Sequence, residues 1–275
     1  MRRTPIAVFA AAVLPLAAAS CSAPSESGGG GGETLAVGAT AVPAGEILAF
    51  VDEELAPDAG LDLDITEFSD YIAPNAALAE GEIDANLYQH EPFLDEYNSG
   101  NGTDLEKVQD VYLPPLGLYS SVVDDPADLG EGAEIALPND PSNEFRALLL
   151  LQEAGLIGLA DGVEETSFSL ADIEDNPNGF DFREVEAAQL PRSLDDVDAA
   201  IVNNNYAQDA GLSPTEDAIL AEDLEDNPYV NILAARADTS GDPRVQKLAE
   251  LLTSPETAEF IEQQYGGSVI PATAG

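Results

Sequence analysis

The chain has 275 residues, of which 44% are hydrophobic, and its nine Lys+Arg stand against 53 Asp+Glu for a formal net charge of −44. That hydrophobic share supports a packed core and excludes wholesale disorder. The negative field excludes attraction to nucleic-acid phosphates, and the near-absence of lysine (only Lys107 and Lys247) fits a surface adapted to high salt, where self-repulsion is screened.

Arg2 and Arg3 open the chain, a mainly apolar run follows from Ile6 to Ala19, and Ser20-Cys21 closes it. A charged start, a short apolar stretch and small residues before a cut predict a secretory signal peptide over 1–20. The run is too short to span a bilayer, which needs roughly 20 residues. Ala18-Ala19-Ser20-Cys21 looks like a bacterial lipobox, in which Cys21 is acylated and becomes the anchored N-terminus. Ser22 to Gly32 reads SAPSESGGGGG, a flexible tether. Residues 21–32 are therefore read as anchor and linker, with folded chain from Glu33. Cys21 is the single cysteine, so an internal disulfide and a multi-cysteine metal site are both excluded.

Beyond the tether, strand and helix patterns alternate. Leu35 to Ala39 predicts a buried parallel strand; Ile47, Leu48, Val51 and Leu55 then recur at helical spacing over 44–56, and Pro57 stops them. Leu61, Leu63 and Ile65 alternate with acids as a second strand, 75–81 predicts a short helix, and Ile83 and Ala85 a third strand. A second series begins with a strand at Glu134 to Leu137. A helix capped by Ser142 or Asn143 runs from there to Gly155, and strands follow at Ala199 to Val202 and Tyr229 to Ala235. Pro243 and Ser254-Pro255 open two final helices. Two βαβ-like series predict an α/β protein of two lobes, each a mostly parallel sheet flanked by helices, with a ligand in the cleft where strand ends face each other.

Few residues stand out chemically. Arg146 is a rare cation, read as lying in the first turn of its helix, where guanidinium and free N–H groups together suit a carboxylate. Asn203 follows a buried strand, and Asn231 lies inside an apolar one, where an unpaired amide costs about 1–3 kcal/mol. Asn204 and Asn205 read as turn residues, Tyr71 and Phe93 as core, and His90, the only histidine, as a hydrogen-bonded structural residue. No His/Cys cluster suits zinc, and Asp62-x-Asp64 lacks a calcium loop's glycine and closing glutamate. No nucleophile motif, phosphate loop or dinucleotide fingerprint occurs, so no catalytic constellation, metal or cofactor is predicted.

Several ordered blocks carry a family resemblance. Val37-Gly38-Ala39-Thr40, Glu67-Phe68-Ser69-Asp70-Tyr71, Ile83-Asp84-Ala85-Asn86 through His90, Pro115 to Ser120 and Pro138 to Ala147 are among them. So are Ala188 to Arg192, Asn203 to Tyr206 and Asn227 to Asn231. Together they resemble the NlpA/MetQ lipoproteins, the methionine-binding proteins of ABC importers, over essentially all of 35–272. The resemblance implies a type II periplasmic-binding fold with crossovers near 117–121 and 229–235. Lobe 1 would comprise 33–118 plus 233–275, and lobe 2 119–232. By the same resemblance Arg146 takes the ligand carboxylate, Asn203 and Asn231 help hold amine and carboxylate, and Tyr71, His90 and Phe93 surround the thioether. Leu87, where relatives commonly carry an aromatic, and Phe93, where many have Tyr, bear on the fit around the ligand side chain.

The expectation is a non-enzymatic lipoprotein on the extracytoplasmic face of the cell membrane. It would hand methionine to an ABC permease and its ATPase subunit, use no cofactor and bind no nucleic acid. Another amino acid, a methionine-containing dipeptide, or a secreted enzyme on the same fold are the rival readings.

Overall fold

The computed structural model describes residues 33–163, 168–225 and 227–272; the expected signal peptide, the Cys21 anchor and the tether lie outside them. Strand β1 (Glu33–Thr40) buries Leu35, Val37 and Ala39 completely, every second residue, as the alternation of a strand requires. Helical chain follows as α1 (Glu46–Phe50) and α2 (Ala56–Ala59), joined by a wide π-type turn at Val51–Leu55. Pro57 does not stop this run. It sits at the opening of α2, where its missing N–H is not needed, and the run ends at Gly60 with φ 72°. Then come β2 (Leu61–Phe68), parallel to β1 along its length, α3 (Ala73–Glu80), β3 (Ala85–His90), α4 (Glu91–Asn101) and β4 (Leu105–Leu113). Ile83 falls outside β3 because Asp84 is spent before the ladder begins. Its amide donates to Ala36 O (2.8 Å), and its Oδ2 accepts from Ala36 N (3.0 Å).

The next stretch builds a second sheet. Its elements are β5 (Gly117–Tyr119), β6 (Glu134–Pro138), α5 (Pro141–Glu153), a ribbon of β7 (Gly158–Leu159) and β8 (Ile173–Asp175), and β9 (Asp181–Val185). It continues through α6 (Leu190–Ser193), β10 (Ala199–Val202), α7 (Asn204–Asp209) and β11 (Leu220–Ala221). Strand β12 (Asn231–Arg236) then returns to the first sheet, and α8 (Pro243–Leu252), α9 (Pro255–Tyr265) and β13 (Ile270–Pro271) complete it. The orders are β13-β4-β12-β3-β1-β2 and β11-β5-β10-β6-β9. Each sheet is mixed: β12 enters antiparallel to β3 and β4, and β5 antiparallel to β10 and β11. Because Gly117–Tyr119 already pair inside the second sheet, the first crossover is 114–116, ahead of the expected 117–121. The second spans 222–230, and its strand begins at Asn231, not at Tyr229.

Each sheet has its own core. Leu35, Ile47, Leu48 and Leu87 pack with Val245, Leu248 and Ile261 of the last two helices about the first. Leu118, Ile135, Leu137, Leu148, Leu151 and Ile201 do so about the second. The cap of α5 also differs from expectation. Asp140, not Ser142 or Asn143, accepts the Asn143 N–H (3.0 Å), and Pro141 is the first helical residue. Arg146 therefore lies in the second turn of α5, past the helix's free N–H groups. Among the described residues no helix is long and apolar enough to cross a membrane.

Candidate functional site

The site lies where the carboxyl ends of β3 and β10 approach each other between the sheets, as open α/β folds place their ligands. A cavity there has two unlike walls. One is aromatic: Tyr71 from the loop before α3, Tyr88 and His90 from β3, and Phe93 from α4. The other is polar: Asn143 and Arg146 on α5, Asn203 after β10, Asn204 and Asn205 on α7, and Asn231 opening β12.

The aromatic wall interlocks. Tyr71 stands 5.9 Å from Tyr88, 5.8 Å from Phe93 and 5.0 Å from Tyr206, ring centre to ring centre. Three consecutive residues, Tyr88, Gln89 and His90, line the cavity, which a regular strand cannot arrange. The reason is a bulge. Leu87 pairs with Leu233 and Gln89 with Ile232, leaving Tyr88 with no opposite number on β12 and re-aiming the chain. Behind this wall the amides of Asn75, Asn86 and Gln89 bond one another at 2.7–3.0 Å and lock α3 to β3. Leu87 itself is fully buried in the first core between Ala39 and Leu233, so it does not border the cavity and leaves no extra room there.

His90 caps α4: its Nδ1 accepts the Phe93 N–H (3.3 Å), which places the ring proton on Nε2, 3.2 Å from Asn143 Oδ1. Burial, with the nearby Arg146 charge second, depresses its pKa to about 3, so the ring is neutral. Asn143 Oδ1 also accepts from Asn203 Nδ2 (2.8 Å), and its own Nδ2 donates to Asp140 Oδ1 (2.7 Å). Tyr71 OH donates to Asn205 Oδ1 (2.5 Å), and Asn231 Nδ2 to Tyr112 OH (3.0 Å). Two buried amide atoms of this wall have no partner among the described residues, the acceptor Asn203 Oδ1 and the donor Asn205 Nδ2.

Arg146 is 2% exposed and already paired. Its Nε and Nη2 meet Glu222 Oε1 and Oε2 at 2.7 and 2.5 Å, Nη2 also reaches Pro114 O (3.0 Å), and its Cζ lies 4.5 Å from the Tyr229 ring centre. Only Nη1 is left for a ligand. All six expected site residues, Arg146, Asn203, Asn231, Tyr71, His90 and Phe93, thus line one cavity. Tyr88, Asn143, Asn205 and Glu222 were missed. The aromatic run around His90 could have pointed to Tyr88, but no local pattern marks Glu222, one acid among 53. Asn204 and Asn205 are not turn residues; they open α7, where Asn204 Nδ2 donates to Ser268 O (2.8 Å). Among the described residues no cluster of three or more metal-ligating side chains occurs.

Two buried groups give stability opposite pH signs. Native His90 stays neutral while the unfolded chain protonates near pH 6.5, so its contribution falls as pH drops from 6.5 towards 3. Glu144 is pushed up to about 7, first by burial and then by the Glu184 and Asp140 charges. Its native state binds the extra proton, so its contribution grows as pH drops from 7 to the ordinary carboxyl range. Between pH 5 and 6.5 the two oppose each other. Glu144→Gln is expected to make stability fall on acidification across that window, and His90→Gln to make it rise, each by up to about 1.4 kcal/mol per pH unit. Urea unfolding at pH 5, 5.75 and 6.5 checks both signs; parallel slopes in the two variants would sink the assignment.

The NlpA lipoprotein family matches residues 35–273. The D-methionine-binding lipoprotein MetQ of Salmonella typhi is 41% identical over 213 residues, 77% of this chain and 78% of that one. A nutrient-binding protein from Burkholderia cenocepacia, solved bound to methionine, superposes with a TM-score of 0.84 at 43% identity, covering 86% of this chain and 99% of that one. An ABC-transporter periplasmic substrate-binding protein from Coxiella burnetii gives 0.82 at 41%, covering 86% and 100%.

Proposed function

Since the chain belongs to the NlpA lipoprotein family, we propose that it captures methionine outside the cytoplasm and delivers it to an ABC permease and its ATPase subunit. The observation that carries this reading is the two-walled cavity. An apolar, polarizable side chain fits the Tyr71, Tyr88, His90 and Phe93 wall, where sulfur–ring contacts contribute about 0.3–1.5 kcal/mol each. An amino-acid head group fits the other. Arg146 Nη1 and Asn205 Nδ2 donate to the carboxylate, and Asn203 Oδ1 accepts from the ammonium. Neutral His90 adds no charge to disturb that balance.

Contacts across the cleft fit a closed state gripping such a ligand. Tyr71 bonds Asn205, Tyr206 OH reaches Ser69 O (3.4 Å), and Ser142 N–H at the start of α5 donates to Glu96 (3.0 Å). Opening would break these and keep the crossovers 114–116 and 222–230 as hinges, the domain closure common to two-lobed binders. Anchorage through acylated Cys21 would hold the protein at the extracytoplasmic membrane face, where the 11-residue tether from Ser22 to Gly32 keeps it within reach of a permease. On this reading it is a binding protein and returns its ligand unchanged.

The test is a calorimetric titration of L-methionine into the chain from residue 21 onward, unfolded to strip carried-over ligand and refolded in high salt. One-to-one, sub-micromolar binding with methionine recovered intact is expected. No heat from a folded sample would reject methionine, and turnover would reject a pure binding role.

A further inference from the structure

Arg146 meets the cavity with its charge already cancelled. Among the described residues it is the one charged side chain lining the cavity, and the buried Glu222 carboxylate grips its far edge with two hydrogen bonds. Glu222, in the second crossover, is itself fixed to the first: its Oε2 accepts from Leu116 N (2.8 Å), and its amide donates to Leu116 O (3.0 Å). The remaining charges near this pair do not restore a positive field. Asp140 spends its carboxylate on the two Asn143 N–H groups, and His90 is neutral. Building on the methionine reading, we infer that Glu222 is a specificity-determining residue: by neutralising Arg146 it makes the cavity select a zwitterion over an anion that carries the same side chain.

The argument is one of charge balance in a site of low dielectric. Arg146 Nη1 can still donate to a carboxylate, so the geometry of recognition survives the pairing. A ligand that brings only a carboxylate adds an uncompensated negative charge behind which Glu222 stands. A zwitterion brings its own ammonium, and Asn203 Oδ1 is the open acceptor for it. Glutamine at position 222 keeps the shape and one acceptor while removing the charge, which leaves a bare guanidinium that favours the anion. At an effective dielectric near 20, one unit charge across a single guanidinium shifts relative affinity by at least about tenfold.

The experiment measures L-methionine and its desamino analogue 4-(methylthio)butanoate by calorimetry on the full chain, as wild type, Glu222→Gln and Glu222→Asp. Wild type should prefer methionine strongly, and the Gln variant should lose at least about tenfold of that preference. The Asp variant keeps the charge and shortens the reach, so it should weaken both ligands without moving their ratio. A merely structural role for Glu222 would lower both affinities together; a ratio within threefold of wild type in the Gln variant overturns the inference. So does a ratio that moves in the Asp variant, which also serves if the Gln variant does not fold. Wild type that binds neither ligand rejects the methionine reading itself, a distinct result.

Discussion

Arg146→Ala should weaken methionine binding by about 2–5 kcal/mol, because a ligand carboxylate would be desolvated with no charged donor to meet it. The same substitution should cost fold stability as well. The Glu222 side chain is 7% exposed, and losing the guanidinium strands its carboxylate with Leu116 N–H as the remaining bond. Breaking a buried pair by removing one partner typically costs about 3–5 kcal/mol. These losses can be separated. Arg146→Met with Glu222→Leu replaces both partners by apolar groups of similar volume, a change that is often neutral or better for stability. The double variant should therefore regain most of the stability lost in the single one while binding stays weak. Urea unfolding and calorimetry on the same samples read the two quantities. Loss of less than tenfold in affinity for the single variant, or binding restored in the double one, would remove Arg146 from the ligand site.

That separation was beyond the reach of sequence, and the reason is instructive. Arg146 could be singled out because cations are rare in this chain, but its partner is 76 residues away in a crossover with no motif. Long-range pairing leaves no periodic trace. The helix phase of Arg146 was also misjudged: Asp140-Pro141 forms the cap and first position, shifting the start earlier than Ser142. The buried strands at Leu35 and Ala199 were readable as short apolar runs bounded by turn residues, and the final helices from their spacing together with their opening prolines. Strand β3 was readable only at its start, Ala85, since its bulge breaks the alternation that would have separated cavity-facing Tyr88 and Gln89 from core-facing Leu87. Arg146, Asn203 and Asn231 stood out by position, and the likeness of ordered blocks gave them their roles and added Tyr71, His90 and Phe93. Individually, Tyr71 and Phe93 read as core and His90 as a hydrogen-bonded structural residue.

Asn143 should prove the second most sensitive position. Its Oδ1 accepts from Asn203 Nδ2 and faces His90 Nε2, so it sets the Asn203 amide with Oδ1 towards the cavity. A flipped Asn203 would present a donor to the ligand ammonium, and two buried donors would lose their acceptor at about 1–3 kcal/mol each. Asn143→Ala is therefore expected to weaken methionine binding by about 2–4 kcal/mol. Asn143→Asp asks a sharper question. It keeps the acceptor for Asn203 and His90 but turns the 2.7 Å donation to Asp140 into a facing pair of carboxylates. Burial already raises the Asp140 pKa, and the Asn143 N–H groups hold it down. Exchanging one of them for a negative charge raises one carboxyl of the pair strongly, so that a single proton is shared. A raised carboxyl pKa gives stability below it that is lost as pH rises. Binding to the Asp variant should accordingly be weak at pH 8 and recover towards pH 5, while wild type, with His90 neutral and methionine zwitterionic at both, changes little. Equal affinity of the variant at the two pH values, or an alanine variant within fivefold of wild type, would show that Asn143 does not orient the polar wall.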